Sequence, residues 1–593
     1  MKQKRIAAKI VALTLACSMS IGIFSGCGKQ GENAQTAGAG TEVTSETAGD
    51  GTQAAENDTQ TEDGTQAGSG MDALSLMKQY NTVQADVPDD NYRTWYEVFV
   101  YSFYDGNGDG IGDLQGLIQK LDYINDGDDT TDTDLGCNGI WLMPIMPSTT
   151  YHKYDVKDYC DIDSEYGTLD DFKTLIEECH SRGIDVIIDL VMNHTSSLHE
   201  WFTQASAYLK ELKDGETPDA SVCPYVDYYN FSQEAKTGYS KLPGSGWYYE
   251  AQFWSEMPDL NLGNEAVRKE FENIISFWLD LGVDGFRLDA AKEYYSGADD
   301  ANVEVLTWFN DMVKSKKEDA YIVAEVWNDM TTYTKYYASG IDSCFNFAFA
   351  NSDGIIANTV KGSNDASSFA NAQVLFQDMV SQYSDSYIDA PFYTNHDIAR
   401  GAGYYSGEYS ENQTKMAQAM NLWMSGSAFL YYGEELGMKG AGKDENKRAP
   451  MYWSMDSSSE GMCCGPKDMD TVKMKYESLE EQEKDGDSIY NFVKQVIAIR
   501  NANPEIARGV VSVEEKLSNE SICAIRKTYE GKEVLLVYNL STESQEVSLS
   551  GVTVNGTEMD LSHAAGVLLT GEEDMIENGS TITMPPYSAI VFR

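Results

Sequence analysis

Eight short apolar, β-prone runs recur along this chain with helical patterns between them, at 96–101, 139–143, 184–190, 283–288, 321–324, 343–347, 388–393 and 428–432. No other feature limits the fold as tightly, because strands alternating with helices bury both faces of a parallel sheet under the crossover helices. Eight strands predict a (β/α)8 TIM barrel. The helices between them carry single apolar stripes: Leu114, Leu117, Ile118 and Leu121 share one face, and Phe271, Ile274, Ile275 and Trp278 another. The interval between 190 and 283 is far longer than one helix needs and is dense in aromatics at 223–231 and 247–254. It predicts a subdomain of about 195–255 inserted after strand 3, over the C-terminal face where barrel active sites lie. After 503 the pattern turns to alternation and turns, predicting a C-terminal all-β sandwich domain at 504–593 and leaving 91–503 to the barrel.

The N-terminus carries Lys2, Lys4, Arg5 and Lys9 ahead of an apolar stretch at 10–24, too short for an ordinary membrane span, so 1–26 read as a signal peptide. The sequence FSGC at 24–27 resembles a bacterial lipoprotein cleavage box, which implies lipidation of Cys27 and a place on the extracellular face of a bacterial membrane. An ordinary signal peptide with an incidental cysteine is the competing reading. Residues 28–70 are rich in Gly, Ala, Thr, Glu and Gln with no apolar period, so 27–90 read as a flexible acidic tether. With 43 Lys and Arg against 95 Asp and Glu, the formal charge of −52 repels phosphate backbones and anionic lipids. That excludes nucleic acid as a partner and leaves the lipid anchor as the membrane contact. Apart from Cys17 and Cys27, the cysteines show no zinc spacing and read mostly as core residues, their pairing undetermined.

Chemistry concentrates at predicted strand ends, in DLVMNH (189–194), GFRLDAAK (285–292), AEVW (324–327) and FYTNHD (392–397). Asp289, Glu325 and Asp397 bring three carboxylates to one face of the barrel, and Arg287, two residues before Asp289 on an extended strand, points the same way. An arginine beside an acid keeps it ionised, as a nucleophile requires, and a second carboxyl with a raised pKa completes the pair that cleaves a glycosidic bond. Asp189 reads as a shell residue, and His152 equally as a ligand or as a histidine satisfying a local bond. DGNGDGIGD (105–113) sets oxygen side chains at relative positions one, three, five and nine with Gly110 at six, as a calcium loop would. Gly116 stands where an EF-hand has its bidentate Glu, so the choice is between another kind of calcium loop and a solvated acidic turn.

Together the four segments, in this order, resemble the α-amylase family of glycoside hydrolases over 95–593. The resemblance implies that Asp289 is the nucleophile, Glu325 the general acid/base and Asp397 the carboxylate that holds sugar hydroxyls, with Arg287, His194 and His396 around them. In YHKYDVKDYCDIDSEYGT (151–168) it makes Tyr154 the ring that stacks on the sugar, with Lys153 where many relatives carry Gly. It assigns Ca2+ to Asp105, Asn107, Asp109, the Ile111 carbonyl and Asp113. A retaining mechanism follows, with carboxyls about 5 to 5.5 Å apart. Ala290, small where oligo-1,6-glucosidases carry Val, and Lys292, matching a leaving-group-side lysine of α-amylases, favour α-1,4 bonds in starch, maltodextrin or maltooligosaccharides. Glu293 in place of a common His, and MPDLN (257–261), a form found between oligo-1,6-glucosidases and neopullulanases, keep an α-1,6-acting enzyme open. A transglycosylating enzyme and a non-catalytic carbohydrate-binding lipoprotein stay open as well.

Overall fold

The computed structural model describes residues 89–593 apart from 129 and 214. The expected signal peptide, Cys27 and the tether up to residue 88 lie outside them. Among the described residues ten strands precede the C-terminal region: β1 (Thr94–Val98), β2 (Gly139–Leu142), β3 (Asp185–Leu190), β4 (Phe231–Ser232), β5 (Tyr239–Lys241), β6 (Tyr248–Glu250), β7 (Gly285–Leu288), β8 (Tyr321–Ala324), β9 (Ser343–Cys344) and β10 (Ala428–Tyr431). Seven of them form one parallel sheet in the order β10-β1-β2-β3-β7-β8-β9. The run at 388–393 closes it, through parallel bridges from Phe345 to Ala390 and from Phe392 to Phe429. The (β/α)8 barrel is therefore complete, its closing strand held by single bridges where the others have ladders.

Two further strands end three residues short of the runs that predict them. The first begins at Thr94, stops at Val98 and passes into a 3-10 turn, Val100–Ser102. The chain must bend there because the backbone of the aspartate-rich loop folds back on it, Gly112 N–H donating to the Tyr101 carbonyl at 2.8 Å. The sixth shrinks to Ser343–Cys344, since Asn346 turns its amide onto Asp389 at 3.0 and 3.1 Å and the chain leaves the ladder.

The barrel is filled by Trp95, Trp141, Ile187, Tyr321, Val323, Phe345, Phe392 and Phe429, all buried. Trp95 stacks on Tyr321 at 5.2 Å and Phe345 meets Phe429 edge-on at 4.9 Å. Gly139 makes room for this layer, since a Cβ there would lie 2.4 Å from the Trp95 ring. The outer helices bury the stripes the sequence shows: Glu265–Asp280, capped by Asn264, turns Phe271, Ile274, Ile275 and Trp278 inward.

After β3 the excursion forms a helix, Glu200–Glu211, and a small antiparallel sheet, β4-β6-β5. Bridges from His194 to Asp259 and from Tyr229 to Leu260 fasten it beside the strand ends. A short helix, Pro504–Arg508, leads into the C-terminal domain, where ten strands make antiparallel sheets of five, three and two. Lys527 reaches from this domain to the Trp423 and Ile506 carbonyls, and burial drives its amine well below the usual lysine range. The eight described cysteines are all free, six of them buried, with Cys160 partly exposed and Cys464 exposed.

Candidate active site

Parallel register alone brings the first residues together. Asp189 on β3 lies opposite Arg287 on β7, and Arg287 opposite Val323 on β8, so that Asp289 and Glu325 follow at neighbouring strand ends. Arg287 is fully buried. Its Nη1 donates to both oxygens of Asp189 at 2.8 and 2.9 Å and to Asp289 Oδ1 at 2.6 Å, and its Nη2 to Glu325 Oε2 at 2.7 Å. One guanidinium thus bridges three carboxyls, with its Cζ 5.2 Å from the centre of the Trp141 ring and 5.9 Å from that of Tyr154. Glu325 Oε2 also accepts the Ala290 N–H at 3.0 Å. Ala290 has φ +46°, a region unfavourable to side chains and worst for branched ones, so a small residue after Asp289 suits the turn.

A second network meets the first through Tyr154. Its hydroxyl donates to Asp189 Oδ2 at 2.9 Å and lies 2.8 Å from His396 Nε2. His396 is buried, with Nδ1 2.6 Å from Glu97 Oε1 and Nε2 3.1 Å from Asp397 Oδ2. Asp397 also takes Arg448 Nη2 at 3.0 Å, and its carbonyl takes Lys447 Nζ at 2.7 Å.

These contacts set the protonation states. Burial pushes Glu325 up to about 7; Arg287 opposes the rise, while the charges of Asp289 and Asp397 add to it. Burial alone would raise Asp397 too, but His396 and Arg448 hold it well below the usual carboxylate range. Burial would lower His396, yet Asp397 and Glu97 on its two nitrogens raise it to about 9. The site therefore holds an anion, Asp397, and a carboxyl of raised pKa, Glu325, close to Asp289 on its guanidinium. That is the equipment for cleaving an acetal bond by paired carboxyls.

The model of the alpha amylase catalytic domain matches residues 97–509. This chain belongs to the α-amylase family. It is 38% identical over 451 residues to Alpha-amylase 3 of Dictyoglomus thermophilum, covering 75% of this chain and 84% of the relative. To an Oligo-1,6-glucosidase of Bacillus cereus it is 28% identical over 580 residues, covering 84% and 98%. A solved structure, Eubacterium rectale Amy13B, superposes with a TM-score of 0.83 at 52% identity, over 88% of this chain and 98% of that one. The protein is an α-amylase-family glycoside hydrolase.

Of the residues the family resemblance implied, Asp289, Glu325, Asp397, Tyr154, Arg287 and His396 share the connected network. His194 is buried beside it, its imidazole made less basic by burial. Lys292 stands apart, paired with Glu293 at 3.2 Å and partly exposed. His152 makes a local bond: its Nδ1 accepts the Tyr154 N–H at 3.1 Å, and burial lowers it to about 4.

Three features went unread in the sequence. Glu97 could have been found, as an acid inside the apolar strand TWYEV must be paired if it is buried. Arg448 follows a short helix, Asp444–Lys447, whose pattern gives no hint of Asp397. The third falls within segments the sequence did point to, AEVW and 247–254, where no single ring stood out: the exposed Trp327, stacked on Phe347 at 5.1 Å, and the exposed Phe253, 5.6 Å from His194. Flat faces of this kind suit sugar rings.

The aspartate loop lies apart from these networks and is wound by its own backbone. Asp105 accepts N–H bonds from Gly108, Asp109 and Gly110, Asn107 from Asp109, and Asp109 from Ile111. Asp113 accepts from Gly106 and Asn107 and caps the helix Leu114–Gln119 through Gly116 N–H at 2.6 Å. Among the described residues no three His, Cys, Asp or Glu side chains converge as a metal site. A cation here would have to draw on the Asn107 amide and Ile111 carbonyl oxygens as well.

If Glu325 is the group that gives the proton, kcat/KM on maltoheptaose should fall on the alkaline side as the pH rises through about 7. A pH–rate series checks this, and a profile flat to pH 9 would contradict it.

Proposed function

We propose that this protein hydrolyses α-1,4-glucosidic bonds in starch, maltodextrin or related α-glucans with retention of configuration. The observation that carries the reading is the single guanidinium of Arg287 bonded to both Asp289 and Glu325. Asp289 attacks the anomeric carbon while Glu325 gives its proton to the departing glycosidic oxygen, so that the C–O bond breaks as the Asp289–carbon bond forms. Glu325, now a carboxylate, takes a proton from the water that attacks the same carbon and releases Asp289, returning both groups to their starting states. Arg287 stays ionised throughout and keeps Asp289 nucleophilic. Asp397, His396 and Tyr154 hold the sugar, and Asp397 adds negative charge next to the oxocarbenium-like transition state. Trp327 and Phe253 give further sugars flat surfaces, which favours chains over disaccharides.

Ala290 and Lys292 support α-1,4 preference. A second reading, α-1,6 or glucosyl-transferring action, draws on the MPDLN segment and on the similarity to a protein named Oligo-1,6-glucosidase that is matched over 98% of its length. Asp289→Ala or Glu325→Gln should cut turnover by roughly three orders of magnitude or more with the fold intact. Wild-type rates on amylose and maltoheptaose should exceed those on pullulan and isomaltose. Isomaltose as the best substrate would overturn the bond assignment, and near-normal turnover by either variant would overturn the mechanism.

The aspartate loop fits a calcium ion in its chemistry: its donors are all oxygens, and Gly110 takes φ +93° at the turn. Its place in this proposal is structural, tying the end of the first strand to the following helix. Chelation and Asp109→Ala should each lower the melting temperature; if neither moves it, the loop is an ordinary turn. Lipidation of Cys27 would place the enzyme on the outer face of a bacterial membrane, acting on glucans too large to import. Metabolic labelling with a fatty acid, lost in Cys27→Ser, tests that placement.

A further inference from the structure

The turn that delivers Tyr154 is spanned by the Tyr154 N–H bond to His152 Nδ1 and has a lysine at its centre. Lys153 has φ +65°, the left-handed region that glycine enters freely and a lysine does not. Its side chain is nonetheless only 3% exposed, a rare fate for lysine. The ammonium is clamped between Asp163, at 3.1 Å, and Glu165, and sits over the Tyr166 ring at 5.2 Å. Asp163 is itself fixed by the Ser148 N–H at 2.9 Å and the Glu165 N–H at 3.0 Å. So Asp163 is a fixed anchor for the lysine and Glu165 a half-exposed one, and the backbone they hold is strained. The next residue is Tyr154, whose hydroxyl joins Asp189 to His396.

We infer that Lys153 is a positioning residue: its ammonium, held by Asp163 and Glu165, keeps the backbone in the left-handed turn that aims Tyr154 into the reaction site. A glycine would hold the same turn with no side chain at all. This chain reaches the same geometry with an ion pair in place of conformational freedom, and that substitution makes the idea testable. The inference rests on the glycosidase reading for its kinetic consequence and on geometry alone for its structural one.

The experiment compares Lys153→Met with Lys153→Gly. Both lose the ion pair, so both should melt at lower temperature, but only the methionine variant still carries a side chain that makes the left-handed turn costly, now without the clamp that holds it. The Met variant should lose roughly tenfold or more in kcat on maltoheptaose, with KM changed less, as misplacement of a group at the reacting centre does. The Gly variant should stay within about threefold of wild type, because its turn is unstrained. Crystal structures of the two variants should show the Tyr154 hydroxyl parted from Asp189 with Met and in place with Gly. An unmoved Tyr154 and wild-type kcat in the Met variant would overturn the inference, as would a Gly variant impaired like the Met one. Absence of turnover by the wild type on every α-glucan would instead count against the glycosidase reading, and the two crystal structures would still decide the role of Lys153.

Discussion

The buried guanidinium of Arg287 is the contact on which the rest of the site depends. Three carboxyls from three strand ends, Asp189, Asp289 and Glu325, converge on it. Carboxylates this close repel one another, and each buried ion forfeits several kcal/mol of hydration, so the cluster is tolerable only around a fixed cation with matching geometry. Arginine supplies it, since its planar fork serves several oxygens at once and stays charged at any working pH. The barrel contributes the register: a slip of one residue between β3 and β7 would turn Asp189 or Arg287 to the opposite face.

Around that cation the protein sorts its acids by neighbour. Asp397 meets two cationic partners, His396 and Arg448, and remains an anion. Glu325 is buried, shares Arg287 with two aspartates and is left near neutrality in pKa. Tyr154 joins the two networks, which is why the turn before it matters beyond its own residues. The closing strand of the barrel, which leads to His396 and Asp397, is held by single bridges. Side-chain pairs to Glu97 on β1 and to Arg448 beyond β10 supply what its backbone ladder lacks.

Much of this was legible in the sequence, because the signals were local. Residues 321–324 matched the strand end to end, and the stripe at 271–278 faces inward as its spacing required. Asp289, Glu325 and Asp397 could be placed because strand ends are visible in apolar runs and a parallel barrel puts all those ends on one face. The strand expected at 343–347 failed after two residues, since a buried Asn346–Asp389 bond outweighs β propensity there. Arg448 was illegible for a different reason: it reaches Asp397 across 51 residues from a loop without periodicity. At Lys153 the sequence showed only a departure from glycine. The left-handed φ and the ion pair that holds it are tertiary facts, fixed by Asp163 and Glu165.

The most direct test of Asp289 as the nucleophile of this constellation is mass spectrometry of Glu325→Gln after reaction with an α-maltosyl fluoride. Fluoride leaves without a proton, so the glycosyl–enzyme should form, and with no base at position 325 to activate water it should persist. The proposed chemistry predicts a maltosyl adduct on the peptide containing Asp289, absent when Asp289 is also replaced by Ala. An adduct on Asp397, or no adduct together with a product of inverted configuration, would contradict it.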